Sequence, residues 1–414
     1  MARIRPFKAL RPAHGYADKI ASLPYDVFSR EEAREEVKDN KYSFLNIDRP
    51  ETQFPVTQDM YAKEVYEKAA SMLSEMEAEG LFVQDEHPSY YVYEMSVNGR
   101  SQTGIVAASS VDDYEGGVIR KHEKTLEAKR GDRINHVDIC SAQTGPIFLA
   151  YRDSDAVNEI VSGVKEGEPA EDFVSGGVRQ RVWVVSDNCL TDRITKAFEA
   201  IPYTYIADGH HRAASAVQVS QMRRKDYPAY SGKEEFNYFL SVLFPAGDLE
   251  IMDYNRVIKS LGGFTAEEMI EGLRTKVFIE YQGDKRYKPN KKGTFGLYMD
   301  YAWYKLTVRP EYVKDDPVEK LDVAYLQREI LGPVFGITDP VTDKRIEFIG
   351  GIRGLDELER RCHTDCKAAF AMYPTTIDEL FDVADAGMLM PPKSTWFEPK
   401  LLSGLFIHKI ERSR

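Results

Sequence analysis

The run Asp208-Gly209-His210-His211-Arg212 brings together residue types that hold anions. It follows the apolar segment Tyr203 to Ala207 and opens a helical pattern, so the first backbone N–H groups of that helix point outward with a partial positive charge. Gly209 lets a ligand approach the backbone. Arg212 can grip two phosphate oxygens as a fork, and His210 or His211 can donate further hydrogen bonds. Asp208 is a candidate helix cap, or a ligand for magnesium or a substrate hydroxyl. The structural alternative is a capped helix with two surface histidines.

A second group is the basic island Arg120-Lys121-His122-Glu123-Lys124-Thr125, continuing through Lys129, Arg130 and Arg133. Its carboxylate, Glu123, can take a proton from a hydroxyl while the surrounding cations neutralise phosphate. The zinc-protease pattern also begins His-Glu, but its second histidine position is Leu126, which disfavours zinc hydrolysis. Taken alone, the island reads first as a solvated helix face laced with ion pairs. A third group is the stiff loop Met390 to Lys400, where prolines present Lys393, Ser394 and Thr395 as a lid or substrate clamp. A plain surface turn is its alternative.

Weaker signals complete the set. Gly350-Gly351-Ile352-Arg353-Gly354 is too irregular for a dinucleotide fingerprint, and no phosphate-loop motif ending in Gly-Lys-Ser/Thr occurs. Cys362 and Cys366 lie one helical turn apart around His363 without two further zinc ligands nearby, so core thiols are the better reading. Pro24-Tyr25-Asp26-Val27 and Asn46-Ile47-Asp48-Arg49 put polar groups in apolar settings, where they line a pocket or close a turn.

The elements that must carry these groups follow from periodicity. Tyr61 to Leu81 repeats apolar residues at helical spacing and stops on Gly80. Tyr90 to Val97, an Asn98-Gly99 turn and Thr103 to Val111 predict a β-hairpin. Arg120 to Asp138 suits a polar loop and helix. Strands are predicted at Arg181–Val185 and Tyr203–Ala207 with a helix near Asp192 to Ala200 between them, then a helix from His210 and a buried strand over Phe236–Phe244. From Val257 to about Lys320 the pattern predicts a short helix, a hairpin around Gly293 and Gly296, and a strand over Gly296–Val308.

With 414 residues, the chain has room for two or three domains, since single cores stop growing near ~250–300 residues. A formal charge of −12 repels polyanions, so phosphate binding has to be local and nucleic acid is not an expected partner. No apolar stretch reaches the ~18 residues of a membrane span, and the four cysteines are too scattered for a disulfide framework. A cytoplasmic protein with reduced thiols is the expectation.

ADGHHRAASA resembles the phosphate-binding motif of the ParB/sulfiredoxin-like superfamily. With HEKT, PYDV, IDRPE and PPKSTWFEPKLLSGL, nearly the whole chain resembles the "domain of unknown function ten-fifteen" family. Within the superfamily, three motifs are similar in order to those of the free serine kinases. That resemblance implies Glu123 as catalytic base, Asp208 to Arg212 on the nucleotide, and Pro392-Lys393-Ser394-Thr395 as the counterpart of a downstream Pro-Lys-Thr-Thr loop. Lys124 and Lys393 join Glu123 as catalytic candidates; His122, Thr125, Arg133, Ser394 and Thr395 support them. The implied fold is mixed α+β, a ParB/sulfiredoxin-like core over 101–250 between an N-terminal α+β segment, 1–100, and a C-terminal α+β lobe, 251–414, that returns the Pro-Lys-Ser-Thr loop to the site.

The implied activity is phosphoryl transfer from ATP or ADP, with Mg2+, to the hydroxyl of a small metabolite, free L-serine being the first candidate. The alternative is a nucleotide-binding regulatory module capable of slow hydrolysis. Sulfiredoxin-type reduction needs a cysteine where this chain has His210, and ParB-type DNA binding needs basic helix-turn-helix elements that the sequence lacks. No membrane partner is expected, and a homo-oligomer is compatible with this reading.

Overall fold

The computed structural model describes residues 1–125 and 127–411, with the backbone alone at Glu127, Ala128 and Lys129. Leu126 and the Lys129 side chain therefore lie outside the described residues. The fold is mixed α+β, and the chain forms two compact units. Unit 1 takes Met1–Arg120, Thr125–Leu249 and the stretch from Pro399 onward; unit 2 takes Lys121–Lys124 and Glu250–Glu398.

Unit 1 is organised by a mixed sheet of nine strands among the described residues. Its order is Ile119–Arg120, Thr204–Asp208, Ile147–Tyr151, Tyr238–Pro245, Arg100–Ser110, Tyr90–Val97, Val178–Val185 and Glu171–Ser175, with Ile4–Arg5 alongside Arg100–Ser110. The Asn98-Gly99 hairpin forms as expected, both residues at positive φ, 51° and 78°. Tyr238–Pro245 is buried over nearly its whole length because it has strands on both sides and helices over it, which explains its continuous apolar run. Leu149, Ile206, Val217, Phe239 and Leu243 meet in its core.

Two helices flank the motif-bearing strand. His210–Asp226 buries Ala213, Ala216, Val217 and Ser220, and its small side chains let Glu127–Cys140 approach closely enough for Ser215 Oγ to donate to the Arg130 carbonyl at 3.2 Å. The amphipathic helix expected after Tyr61 spans Lys63–Ala78, with Gly80 at φ 73° closing it. The Arg120–Asp138 stretch departs from a solvated face: Arg133 is 6% exposed and His136 0%. Both turn inward on the same side of their helix, as three-residue spacing allows.

Unit 2 is built on an antiparallel sheet in the order Val277–Gly283, Ala302–Val308, Thr294–Met299, Ala368–Ala371, Tyr254–Ile258 and Ile346–Gly350. Helices Ala266–Arg274, Gly354–Thr364 and Ile377–Asp385 accompany it. The predicted single strand over Gly296–Val308 is two strands. Their turn is at Asp300 and Tyr301, both at positive φ, 49° and 59°, which a glycine search misses. Gly296 lies inside a strand because a Cβ there would run into the Tyr287 carbonyl and the Trp303 ring. Cys366 is buried in this unit's core with Cys362 packed against it, and burial pushes the Cys362 thiol up to about 12.

Candidate functional site

In unit 1 the strand Thr204–Asp208 shifts register against Ile147–Tyr151 between Ile206 and Asp208, so that Ala207 is skipped and Asp208 pairs with Phe148 at the strand's end. Gly209 follows at φ 91°, a conformation that L side chains rarely adopt. Gly209 itself is the N-cap of His210–Asp226 and supplies no side-chain cap. The expectation that Asp208 caps it is thus corrected. Asp208 instead accepts from the Gly209 N–H at 2.9 Å and from Lys400 Nζ at 3.2 Å. Burial works to raise its pKa, but Lys400, Arg212 and the Gly209 N–H outweigh that and hold it well below the usual carboxylate range.

Arg212 folds back over the turn, so that a Cβ on Gly209 would sit 3.1 Å from its Nε. Its Nη1 donates to the Pro146 carbonyl at 2.6 Å and its Nη2 lies 3.6 Å from Asp208. The expected two-pronged fork is therefore committed to protein groups at both ends. Nε is buried and has no hydrogen-bond partner among the described residues. Burial opposes the guanidinium charge, but Asp208, Asp26, Tyr25 and Asp48 keep it firmly protonated. His210 is buried at 5% exposure, and His211 is half-buried.

Beside Arg212 is a cavity in which Tyr25, Asp48, Arg133, His136, Thr144 and Arg212 stand among the apolar Val137, Ile147, Ala216 and Leu240. The Tyr25 and Asp48 segments thus line a pocket rather than only closing turns. Arg133 donates from Nε to Asp132 at 2.9 Å and stacks its guanidinium 4.0 Å from the Tyr25 ring centre. Asp132 is held in turn by the Tyr66 hydroxyl at 2.9 Å. Thr144 Oγ1 donates to Asp48 at 2.8 Å. Burial raises the Tyr25 phenol to about 12 even with Arg133 beside it, so it stays neutral. Burial and then Arg133 lower the pKa of His136.

In unit 2 the other two motifs come together. Met390 N–H donates to the His122 carbonyl at 2.7 Å, which joins the His122-Glu123 segment to the proline loop. In that loop Lys393 is at φ 60°. The Lys393 carbonyl accepts from Arg256 Nη2 at 3.0 Å, the Ser394 carbonyl from Thr375 Oγ1 at 3.0 Å, and Ser394 Oγ donates to the Pro391 carbonyl at 2.6 Å. Arg256 is buried and donates its other bond to the Tyr254 carbonyl; burial pushes its pKa down to about 10. His122 is buried, Glu123 and Thr395 are half-buried, and Lys124 and Lys393 are exposed.

The sequence-predicted residues thus fall into two sets. Asp208 to Arg212, Arg133 and Thr125 belong to unit 1; His122, Glu123, Lys124, Lys393, Ser394 and Thr395 belong to unit 2. Sequence reasoning missed His136, Thr144, Lys400 and Arg256. His136 was within reach, because its spacing of three from Arg133 puts both on one helix face. Among the described residues, no group of three or more His, Cys, Asp or Glu is placed to hold a metal, and no helix is long and apolar enough to cross a membrane.

Comparison with known proteins gives no match among curated sequences. Similar solved structures include a free serine kinase mutant in complex with AMP, 13% identical, covering 71% of this chain and 86% of that one with a TM-score of 0.37. A free serine kinase mutant in complex with ADP is 12% identical, over 71% and 87% of the two chains, with a TM-score of 0.36. A conserved hypothetical protein from Pyrococcus furiosus is 14% identical, over 72% and 94%, with a TM-score of 0.35. The family model described as Protein of unknown function (DUF1015) matches residues 4–324, and the chain belongs to that family.

Proposed function

We propose that this protein is an ATP- or ADP-dependent phosphotransferase acting on the hydroxyl of a small metabolite, with free L-serine as the first acceptor to test. The observation that carries the reading is the glycine-turned start of His210–Asp226. Gly209 supplies no side-chain cap, and the positive end of the helix dipole lies beside Arg212 and Lys400, which both face Asp208. Donor phosphates are assigned to Gly209 through Arg212, whose unbonded Nε is suited to an anionic oxygen. Glu123 is assigned the acceptor's hydroxyl proton as the new O–P bond forms and the bond to the leaving nucleotide breaks. Lys124, Arg133 and Lys393 are assigned to offset developing charge, where most phosphoryl-transfer catalysis lies. Mg2+ would be carried by the nucleotide's own phosphates.

The test is incubation with labelled ATP or ADP and a panel of hydroxy amino acids and hydroxy acids. A phosphorylated product is expected. Nucleotide binding with no product from any acceptor would replace this reading with a nucleotide-binding regulatory module. Glu123→Gln is expected to abolish turnover while sparing nucleotide affinity, whereas Arg212→Ala is expected to weaken affinity. Thermal shift reads both, since a ligand at 100 times its Kd adds about 2.7 kcal/mol.

A further inference from the structure

Arg256 lies on an inner strand of the unit 2 sheet, Tyr254–Ile258, and is 3% exposed. Its guanidinium donates to the Tyr254 and Lys393 carbonyls and sits 5.3 Å from the Phe348 ring centre. It differs from the buried arginines of unit 1. Arg133 and Arg223 each have a carboxylate within ion-pair reach, Asp132 and Asp138. Arg256 has none among the described residues, and burial without one pushes its pKa down to about 10, which still leaves it charged at neutral pH.

A neutral amide could donate to a carbonyl there without the cost of burying a charge. The charge is therefore extra to the hydrogen bonds, and apolar surroundings screen it little. The carbonyl it holds belongs to Lys393, an exposed residue at φ 60°. The bond from Met390 N–H to the His122 carbonyl ties the same loop to the stretch that carries the exposed Lys121 and Lys124. We propose that Arg256 is a positioning residue for a phosphate group bound at the Lys393 turn. It fixes that turn through the carbonyl and lends it a positive charge that no carboxylate pairs with among the described residues. A multiply charged phosphate gains more from this charge than a carboxylate does. The proposal rests on the phosphotransferase reading only in taking that phosphate to be the one transferred.

Labelling of lysine amines in the full chain with an N-hydroxysuccinimide ester, read at Lys393 by peptide mass spectrometry, tests it. Inorganic phosphate is expected to slow labelling of Lys393 saturably, at a concentration at least tenfold lower than acetate requires. Arg256→Gln keeps a donor for the Lys393 carbonyl and removes the charge. It is expected to raise the half-protecting phosphate concentration at least tenfold, about 1.4 kcal/mol, whereas Arg256→Lys, which keeps the charge, stays within about threefold of wild type. ATP and O-phospho-L-serine used in place of phosphate show whether a donor or a phosphorylated product supplies the group, by which of them protects at the lower concentration. The assignment is overturned if phosphate leaves Lys393 labelling unchanged, if acetate protects as well, if Arg256→Gln is protected at the wild-type concentration, or if Arg256→Lys is as weak as Arg256→Gln. The wild-type comparison of phosphate with acetate needs no variant, so it decides even where Arg256→Gln fails to fold. Failure of the two readings is separable. Protection of Lys393 in a protein that phosphorylates no acceptor removes only the phosphotransferase reading, whereas phosphorylation by Arg256→Gln at an unchanged rate and KM removes only the role of Arg256.

Discussion

Gly209 in unit 1 and Lys393 in unit 2 both hold positive φ, 91° and 60°, in segments that carry candidate site residues. At Gly209 the conformation is free, because the residue has no Cβ, and the close approach of the Arg212 guanidinium uses the same absence. At Lys393 it costs ~1–2 kcal/mol. The surroundings impose it there: Arg256 and Thr375 fix the Lys393 and Ser394 carbonyls, and Ser394 closes on Pro391. One turn is set by its own residue, the other by its neighbours. The turn at Gly209 is thus a local device, while the presentation of Lys393 depends on the rest of unit 2.

The sharpest way to break this contrast is Gly209→Val. Backbone strain of ~1–3 kcal/mol together with displacement of Arg212 is expected to reduce nucleotide affinity more than tenfold and to lower Tm. Unchanged affinity would remove the turn from the phosphate site. Next in size is a difference in acid response between the units. Burial raises the Asp322 carboxyl of unit 2 from 3.8 to about 6, against the Gly293 N–H that bonds it. Because its folded pKa lies above the unfolded value, its stabilising effect is full below about pH 4. It is lost as pH rises through about 6, a swing of up to about 3 kcal/mol.

Asp208 in unit 1 is shifted the other way, so its contribution is present above its unfolded pKa and lost only as pH falls through a lower folded value. Stability measured against pH in wild type and Asp322→Asn checks the first sign: the variant should lose the decline between pH 4 and 6. Smaller still is Arg256→Met, expected to leave the Lys393 carbonyl without its donor and to speed amide exchange across residues 390–395. Its net effect on stability is about 1–2 kcal/mol, because relief from burying a guanidinium offsets part of the lost bonds. Unchanged exchange would show that Thr375 and the prolines suffice. The smallest is Lys393→Gly, expected to raise Tm slightly by relieving up to about 1 kcal/mol of strain. A drop in Tm would mean that the surroundings favour a side chain there.

Local rules made much of unit 1 legible from the residues alone. The Gly80 stop, the Asn98-Gly99 hairpin, the strand into Gly209 and the helix from His210 all follow from φ preferences and side-chain period, which act over a few residues. The three candidate motifs were visible for the same reason, each being a short run of chemically matched types. Where a turn lacked glycine, as at Asp300 and Tyr301, the local signal failed and the strand was read through it.

Tertiary structure alone decided the rest. Whether Arg212 presents a fork or folds onto Pro146 and Asp208 depends on groups far from it in sequence. The burial of Arg133 and His136 depends on Tyr25, Asp48 and Thr144 arriving from separate segments. The meeting of His122 with Met390 in unit 2 likewise joins segments far apart in sequence. Sequence spacing fixes which side chains share a helix face or a turn. Desolvation and charge pairing, which set the chemistry of a buried site, are properties of the assembled surroundings.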